Sequence, residues 1–501
     1  MSTTSSRYAD WKAPAEDGQM LIWPNASTLL AETRDNSRRL ASADHVLLQG
    51  IPLPELRRQA REFIGHTGDA PLFATGHQTE LYHPGVWVKN AMINSLARKA
   101  GGVAFHFAVD TDAPKHLHLH WPGGSEPITD DDGLTTADWT SLLSPPTPRH
   151  LNDIADSLNK TVAAWSFTPS TEPFLASLRR LSLESLNLST ALTNSIHSLE
   201  WDLGLRHHAL VVSPLWHCEP YLIFLHHFLA KADEVARVYN RVLADYRARH
   251  GVRTAARPMP DLNASADDIE CPFWLDDVAH GRRMRAILHR HKGHWTISPP
   301  KGGEPLVLDS SVDGRVAADR LLKWCRQNQL RIAPRALTLT LFFRLFLADQ
   351  FVHGIGGGRY DQVTDDFIHG LFDFEPPRFS VTTATLYFPA AVGQRRINLH
   401  PLLQEGRRVR HGLLTGEKRT MVTQIDQLPR HSRQRQELFF RMHQRLAAES
   451  NSPAIRSWEQ KLREAQQASH LQKALFDREL FFAIQPRERL TAMMDRYDAA
   501  L

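Results

Sequence analysis

Three short stretches of this chain gather residue types that can handle an anion. The first is Gly76-His77-Gln78, which interrupts the apolar run Pro71 to Thr75 (PLFAT) and is followed by His83 and Pro84. Pro84 suits the first turn of a helix, which the pattern carries to about Ala100. A loop running from a strand end into a helix start collects unpaired N–H groups and the positive end of the helix dipole, so it favours phosphate or carboxylate. There the imidazole of His77 and the ammonium of Lys89 could stabilise charge developing on a transferring phosphoryl or adenylyl group. The plainer alternative is that His77 only caps the helix.

The second stretch is Asp110-Thr111-Asp112, directly after the apolar run Val103 to Val109 (VAFHFAV). Two carboxylates at a strand's carboxyl end can hold Mg²⁺, orient an amine nucleophile, or bond their own backbone in a turn. The third is Gly356-Gly357-Gly358 with Arg359, Tyr360 and Asp361 behind it. Glycines let backbone approach a ligand closely, and Arg359 could grip a phosphate or carboxylate bidentately; a simple tight turn would need the same glycines. The run lacks both the Gly-Lys-Ser/Thr ending of a P-loop and the dinucleotide fingerprint.

His116, His118 and His120 alternate with Leu117 and Leu119, which puts three imidazoles on one face of a strand. A metal site is one reading; a solvated strand face, needing no ligand, is the simpler one, and no metal is expected. The arginines between Arg407 and Arg445 carry no interleaved aromatic platform, so they read as the outer face of helices and not as a nucleic-acid groove.

The elements around these stretches form a strand, a polar loop, a helix and a second strand (Pro71 to Thr75, Pro84 to Ala100, Val103 to Val109). That unit forces a parallel pair with a right-handed crossover and opens a doubly wound α/β sheet. His208 to Ser213 and Gln350 to Gly354 read as further strands, with Tyr360 to Leu371 helical after a glycine loop. Met284 to His289 and His294 to Ser298 read as a hairpin, and Ser125 to Arg149 as a long connection. The expected division is a lead-in over 1–65, a core over 66–403 with insertions near 123–205 and 255–312, and a helical region over 404–501. In that last region Ser452-Pro453 marks a helix start, and Ile455, Trp458, Leu462 and Ala465 form a short coiled-coil-like seam, suited to a hairpin or a homodimer contact.

Composition narrows the class. The 501 residues are 42% hydrophobic and 23% charged, ordinary for a globular chain of several structural units. Lys+Arg 59 against Asp+Glu 55 leaves +4, too little for a nucleic-acid coat protein. Cys218, Cys271 and Cys325 are too few and too scattered for a disulfide framework or a thiolate zinc site. The N-terminus has no basic start followed by an apolar stretch, and Ala336 to Ala348 is broken by Arg344, so neither a secretory signal nor a membrane span is expected. A cytoplasmic protein without membrane or nucleic-acid partners is the expectation.

Three stretches resemble the bacillithiol-biosynthesis cysteine-adding enzyme family: Ala74 to Lys89 (ATGHQTELYHPGVWVK), Val103 to Asp112 (VAFHFAVDTD) and Leu347 to Arg378 (LADQFVHGIGGGRYDQVTDDFIHGLFDFEPPR). Ile484 to Leu490 (IQPRERL) is similar to that family's closing stretch. The sequence departs from the family pattern at Thr75-Gly76-His77-Gln78, where His77 replaces the first Gln of the usual Thr-Gly-Gln-Gln, at Asp110-Thr111-Asp112, where the family has an acidic-histidine run, and at Gly356-Gly357-Gly358-Arg359-Tyr360, where Arg359 replaces an acidic loop residue.

The resemblance implies a Rossmann-like core, a helical dimerisation element, and amide formation between a cysteine carboxyl and the amino group of an amino-sugar conjugate. The expectation is therefore an ATP-dependent ligase or nucleotidyltransferase-like enzyme acting on small molecules, with ATP or ADP bound and Mg²⁺ a candidate. Gly76, His77, Gln78, His83 and Lys89 would serve the phosphates, Asp110 and Asp112 the ion or amine, and Gly356, Gly357, Gly358, Arg359 and Asp361 the opposite side. Two alternatives stay open: a nucleotide- or sugar-binding relative without catalysis, and a metal-dependent hydrolase built on the histidine strand.

Overall fold

The protein is mixed α/β. The computed structural model describes residues 11–130, 139–254, 256, 258–412, 415–449 and 453–501. Residues up to Leu386 together with Arg478–Leu501 form one compact unit, and Tyr387–Asp477 form another.

In the first unit, Leu72, Phe73, Ala74 and Thr75 are all buried, as are the residues from Ala104 through Val109. Such nearly continuous apolar runs are what a parallel strand covered on both faces requires. They lie in a six-stranded sheet ordered Met20–Trp23, Ser380–Ala384, Gln350–His353, Leu72–Gln78, Val103–Val109, His208–Val211. The last five are mutually parallel, and Met20–Trp23 runs antiparallel at the edge. The crossover helix Pro84–Ala100 starts at the His83 cap, whose Nδ1 accepts the Gly85 N–H, and stops at Gly101, left-handed at φ 63°.

Counted along the chain, the parallel strands lie side by side as third, second, first, fourth and fifth. Winding therefore reverses between Leu72–Gln78 and Gln350–His353, and the carboxyl ends at such a reversal are where open α/β sheets hold ligands. The first 65 residues contribute the Met20–Trp23 edge strand and two helices, Ala26–Ala41 and Leu53–Phe63. Asn36 on the first donates to the carbonyls of Asp349 and Arg378 at 2.8 and 2.7 Å. Arg57 and Arg61 on the second grip Asp349, at 2.8 and 2.6 Å, and Asp349 also accepts the Leu72 N–H at 2.7 Å. Burial alone would raise the Asp349 carboxyl, but the two guanidiniums hold it below its ordinary value. The amino ends of the two strands at the winding reversal are thus locked to one helix.

The expected hairpin exists, but as part of a five-stranded antiparallel sheet ordered Leu306–Leu308, His294–Ile297, Arg282–His291, Asp268–Asp277, Leu330–Pro334. Between Pro148 and Leu203 three helices form, Pro148–Val162, Thr171–Glu184 and Leu188–Leu203. The expected connection Ser125 to Arg149 holds a short strand, Gly124–Pro127, paired with His118–Trp121, and its residues 131–138 lie outside the described residues.

In the second unit, His400–Gly412 packs on Pro453–Leu475 and Thr415–Gln427 on Arg433–Glu449. Ile455 and Trp458 are buried, and the indole of Trp458 donates to the Leu402 carbonyl at 2.7 Å. The seam read at these positions is thus a contact between helices of the same chain; no coiled coil is shown among the described residues, and the cap at Ser452 lies outside them. After this excursion the chain returns to the first unit, where Phe482 stacks on Tyr82 and Trp87 at 5.6 and 5.4 Å. No helix among the described residues is long and apolar enough to cross a membrane.

One buried histidine gives a pH test of this packing. His227 Nδ1 accepts the Gln49 N–H at 3.0 Å, which needs a neutral ring, and burial pushes its pKa from 6.5 down to about 3. The unfolded chain then binds the extra proton, so stability is lost as pH falls from about 6.5 towards about 3. His227→Gln, whose amide oxygen can accept the same bond, is expected to remove on the order of a few kcal/mol of that acid sensitivity, read by urea unfolding across the range.

Candidate functional site

The register aligning Val352 with Thr75 puts the chain reversals after Leu72–Gln78 and Gln350–His353 on neighbouring strands at the same sheet edge. In the first reversal, the Lys89 ammonium is buried and donates to the Gly76 carbonyl at 2.7 Å, and burial pushes its pKa down to about 7. His77 Nε2 lies 3.1 Å from Glu80, and burial pushes the imidazole down to about 4, so the ring is neutral at pH 7. Glu80 in turn accepts the Lys115 N–H at 2.8 Å, tying this loop to the one after Val103–Val109. His83 is the helix cap, held below its ordinary value chiefly by burial. Beside Gln78, Glu80, Tyr82, His106 and Glu200 lies a small pocket of about 10 Å³, room for a single water.

The second reversal differs from the expected glycine loop. The helix begins at Ile355, so Gly356, Gly357 and Gly358 form its first turn, and Gly354 is the cap. The residues carry no side chains to shield the unpaired N–H groups there; a Cβ on Gly354 or Gly356 would meet nothing within 4 Å. Gly357 and Gly358 are constrained instead: a Cβ on Gly357 would lie 2.8 Å from His353 Nδ1, and one on Gly358 would lie 2.4 Å from Val381. Arg359 is exposed and donates to the Trp11 carbonyl at 2.6 Å, on the Met20–Trp23 side.

Asp361 is the deepest residue of this turn. It accepts from Arg344 at 2.7 Å and from His353 Nε2 at 2.9 Å. Burial would raise its carboxyl, but Arg344 and His353 hold it well below the carboxylate range. An ionised Asp361 only accepts, so His353 donates from Nε2, and its Nδ1 faces the bare side of Gly357. Arg344 also donates to Asp365 at 2.5 Å and to the Pro377 carbonyl. With one guanidinium shared, burial and Asp361 push Asp365 upward.

Arg344 projects from a π-helical turn, Phe343–Leu347, that follows the helix Ala336–Phe342. Single π-turns collect at functional sites because the extra residue re-aims a side chain.

On the other flank, Asp110 accepts from the Ser213 N–H at 2.9 Å and from its hydroxyl at 2.6 Å, and burial holds the carboxyl above its ordinary value. Asp112 pairs with Arg283 at 3.1 Å and sits 3.4 Å from the Gln78 amide. Arg283 also donates to the Thr111 carbonyl and reaches Asp276 at 2.9 Å, so the five-stranded sheet clamps the 110–112 loop. Asp276 is fully buried and is shared with Arg331 at 3.1 Å. His118 and His120 stack at 5.7 Å on an exposed strand face, and no group of three metal-ligating side chains is found among the described residues.

The structure thus brings Gly76, His77, Gln78, His83 and Lys89 to one strand end and Gly356, Gly357, Gly358 and Asp361 to the next, and sets Asp110 and Asp112 one strand further over. His353, Arg344 and Arg283 were missed as site residues. His353 had a legible signal, since it ends an apolar strand eight residues ahead of an aspartate on a helix's inner face. Comparison with family models and with curated proteins finds no match for this chain.

Breaking the charge cluster has a defined cost. Arg344→Met would leave Asp361 and Asp365 without their cation, and removal of one partner from a buried pair destabilises by roughly 3–5 kcal/mol. Urea unfolding at pH 7 reads this directly; Arg58→Met, at an exposed pair with Glu62, should cost under about 1 kcal/mol.

Proposed function

We propose that the protein is an ATP-dependent enzyme of the ligase type with a Rossmann-like first unit, forming a carbon–nitrogen bond between two small molecules. The observation that carries this reading is the winding reversal, which sets the first turn of Ile355–Phe372, with glycine at three successive positions, beside the strand end bearing His77. Nucleotide phosphates fit the helix start at Gly354 and Gly356, where open space and the helix dipole coincide. A carboxylate is a poor acyl donor until its oxygen is replaced by a better leaving group. In the proposed sequence the carboxylate oxygen bonds to the α-phosphorus of ATP as the bond to pyrophosphate breaks. The amine then bonds to the acyl carbon, AMP leaves, and the amine proton passes to a base.

His353 is the residue placed for that last role, since Asp361 holds its Nε2 and so turns Nδ1 towards the glycine turn. Asp110 and Asp112 are committed to Ser213 and Arg283, so they do not form a ready Mg²⁺ site. A second reading, a nucleotide-binding relative without amide chemistry, is favoured by the same commitments, because Lys89 is also spent, on the Gly76 carbonyl.

Calorimetric titration with ATP and ADP tests the shared claim; no binding at about millimolar nucleotide sinks both readings. Gly356→Asp has room for its side chain but places a carboxylate against the phosphates, and is expected to weaken binding about tenfold or more. Pyrophosphate release over a panel of amino acids and amino sugars separates enzyme from binder. His353→Asn is expected to lower turnover about a hundredfold with nucleotide affinity unchanged.

A further inference from the structure

We propose that a second cleft, between the end of the His208–Val211 strand and the five-stranded sheet, binds the anionic end of a small molecule bearing a phosphate or paired carboxylates. The cleft is an open depression of about 490 Å³, within the range of small-molecule sites. Its polar wall is formed by Ser213, His217, Arg326, Gln329 and Arg331, and among the described residues no carboxylate lines it.

The two guanidiniums differ in how they are held. Arg331 is buried, and its Nε and one terminal nitrogen engage Asp276 at 3.2 and 3.1 Å, with its carbon 5.2 Å from the centre of the Trp139 ring. A fork fixed on one side in this way is pre-organised for an anion on the other. Arg326, at the end of the helix Gly314–Gln327, is exposed and has no carboxylate partner among the described residues. Both bear on His217, which burial and these two cations hold below its ordinary value. Arg326, Arg331 and His217 therefore converge on one cavity, where Arg331 is offset by Asp276 and the Arg326 charge is left for an anion to meet.

Gln329 adds a positional feature. It is a non-glycine residue at φ 55°, and it is kept there because its carbonyl accepts the Val278 N–H at 3.1 Å. Left-handed backbone at such a residue is strained and persists where surrounding structure over-determines it. Here it turns the chain at the lip of the cleft.

The cleft is separate from the reversal near residue 354. Three strand intervals lie between His208–Val211 and Gln350–His353, roughly 14 Å at the usual spacing. Ser213 is its link to the rest of the edge, since the same residue holds Asp110.

The test uses the full chain and two probes, inorganic phosphate and succinate, titrated calorimetrically without nucleotide. Binding of either probe, weakened about tenfold or more by Arg326→Gln and by Ala279→Phe, which fills the cleft from its exposed rim, supports the site. Response to phosphate alone assigns a phosphate-bearing ligand, and response to succinate alone a dicarboxylate. Far-ultraviolet circular dichroism and thermal midpoints of the variants, expected to match the parent, show that they fold. Absence of binding by both probes up to about 10 mM overturns the proposal. So does binding that survives both substitutions, or an equal loss of ATP affinity in Arg326→Gln, which would make this one site with the other. ATP affinity is expected to stay unchanged in that variant, so the cleft can fail while the nucleotide reading stands, and the reverse.

Discussion

The guanidinium of Arg344 fixes the geometry on which the carboxyl edge of the sheet depends. It leaves a π-helical turn ahead of the strand Gln350–His353 and binds two carboxylates of the helix that follows that strand, so three successive elements share one charge. Arg344 and Asp361 are each about 1% exposed, and a pair so deep is stable only when its remaining hydrogen-bonding capacity is also met. Pro377 and His353 meet part of it. The position of the His353 ring, and hence the direction of its Nδ1, is a by-product of satisfying that buried cation.

Asp349 does the complementary job at the opposite end of the same strand, where the charge signs are exchanged: one carboxylate and two arginines from a single helix. Between these two knots the strand carries only buried side chains. A sheet pinned at both ends by desolvated ion clusters cannot shift register without exposing an unpaired charge, so the two reversals at its carboxyl edge keep a fixed relation. The loop after Val103–Val109 is held in another way, by Arg283 reaching across from a different sheet.

The local pattern made the core of this arrangement legible. Pro84, Gly101 and two unbroken apolar runs specify a strand, helix and strand with little ambiguity, and the structure has Pro84–Ala100 and Val103–Val109 at those places. What the pattern could not show depends on long sequence separation. Met20–Trp23 is four half-buried residues whose only reason to be a strand is the edge of Ser380–Ala384. The hairpin was readable, but Leu330–Pro334 pairs with Asp268–Asp277 across as far as Phe273 to Pro334, a separation that no local turn announces. Arg344 looked like a flaw in an apolar helix because its partners lie on the next helix. Gly356 to Gly358 looked like a loop because glycine is a poor helix former, whereas two of the three are required by close approach of His353 and Val381.

The chain leaves the first unit after Leu386 and rejoins it at Arg478, and the strands of backbone going out and coming back are bonded to each other, Phe388 N–H to the Leu475 carbonyl at 3.2 Å. The helical unit is thus a parenthesis in the sequence, closed at its base. Its helices can lengthen, shorten or change their outer residues over evolutionary time without altering the spacing at which Phe481 and Phe482 come back under the Tyr82 loop. Selection on that outer surface and selection on the sheet edge are free to proceed at different rates within one polypeptide.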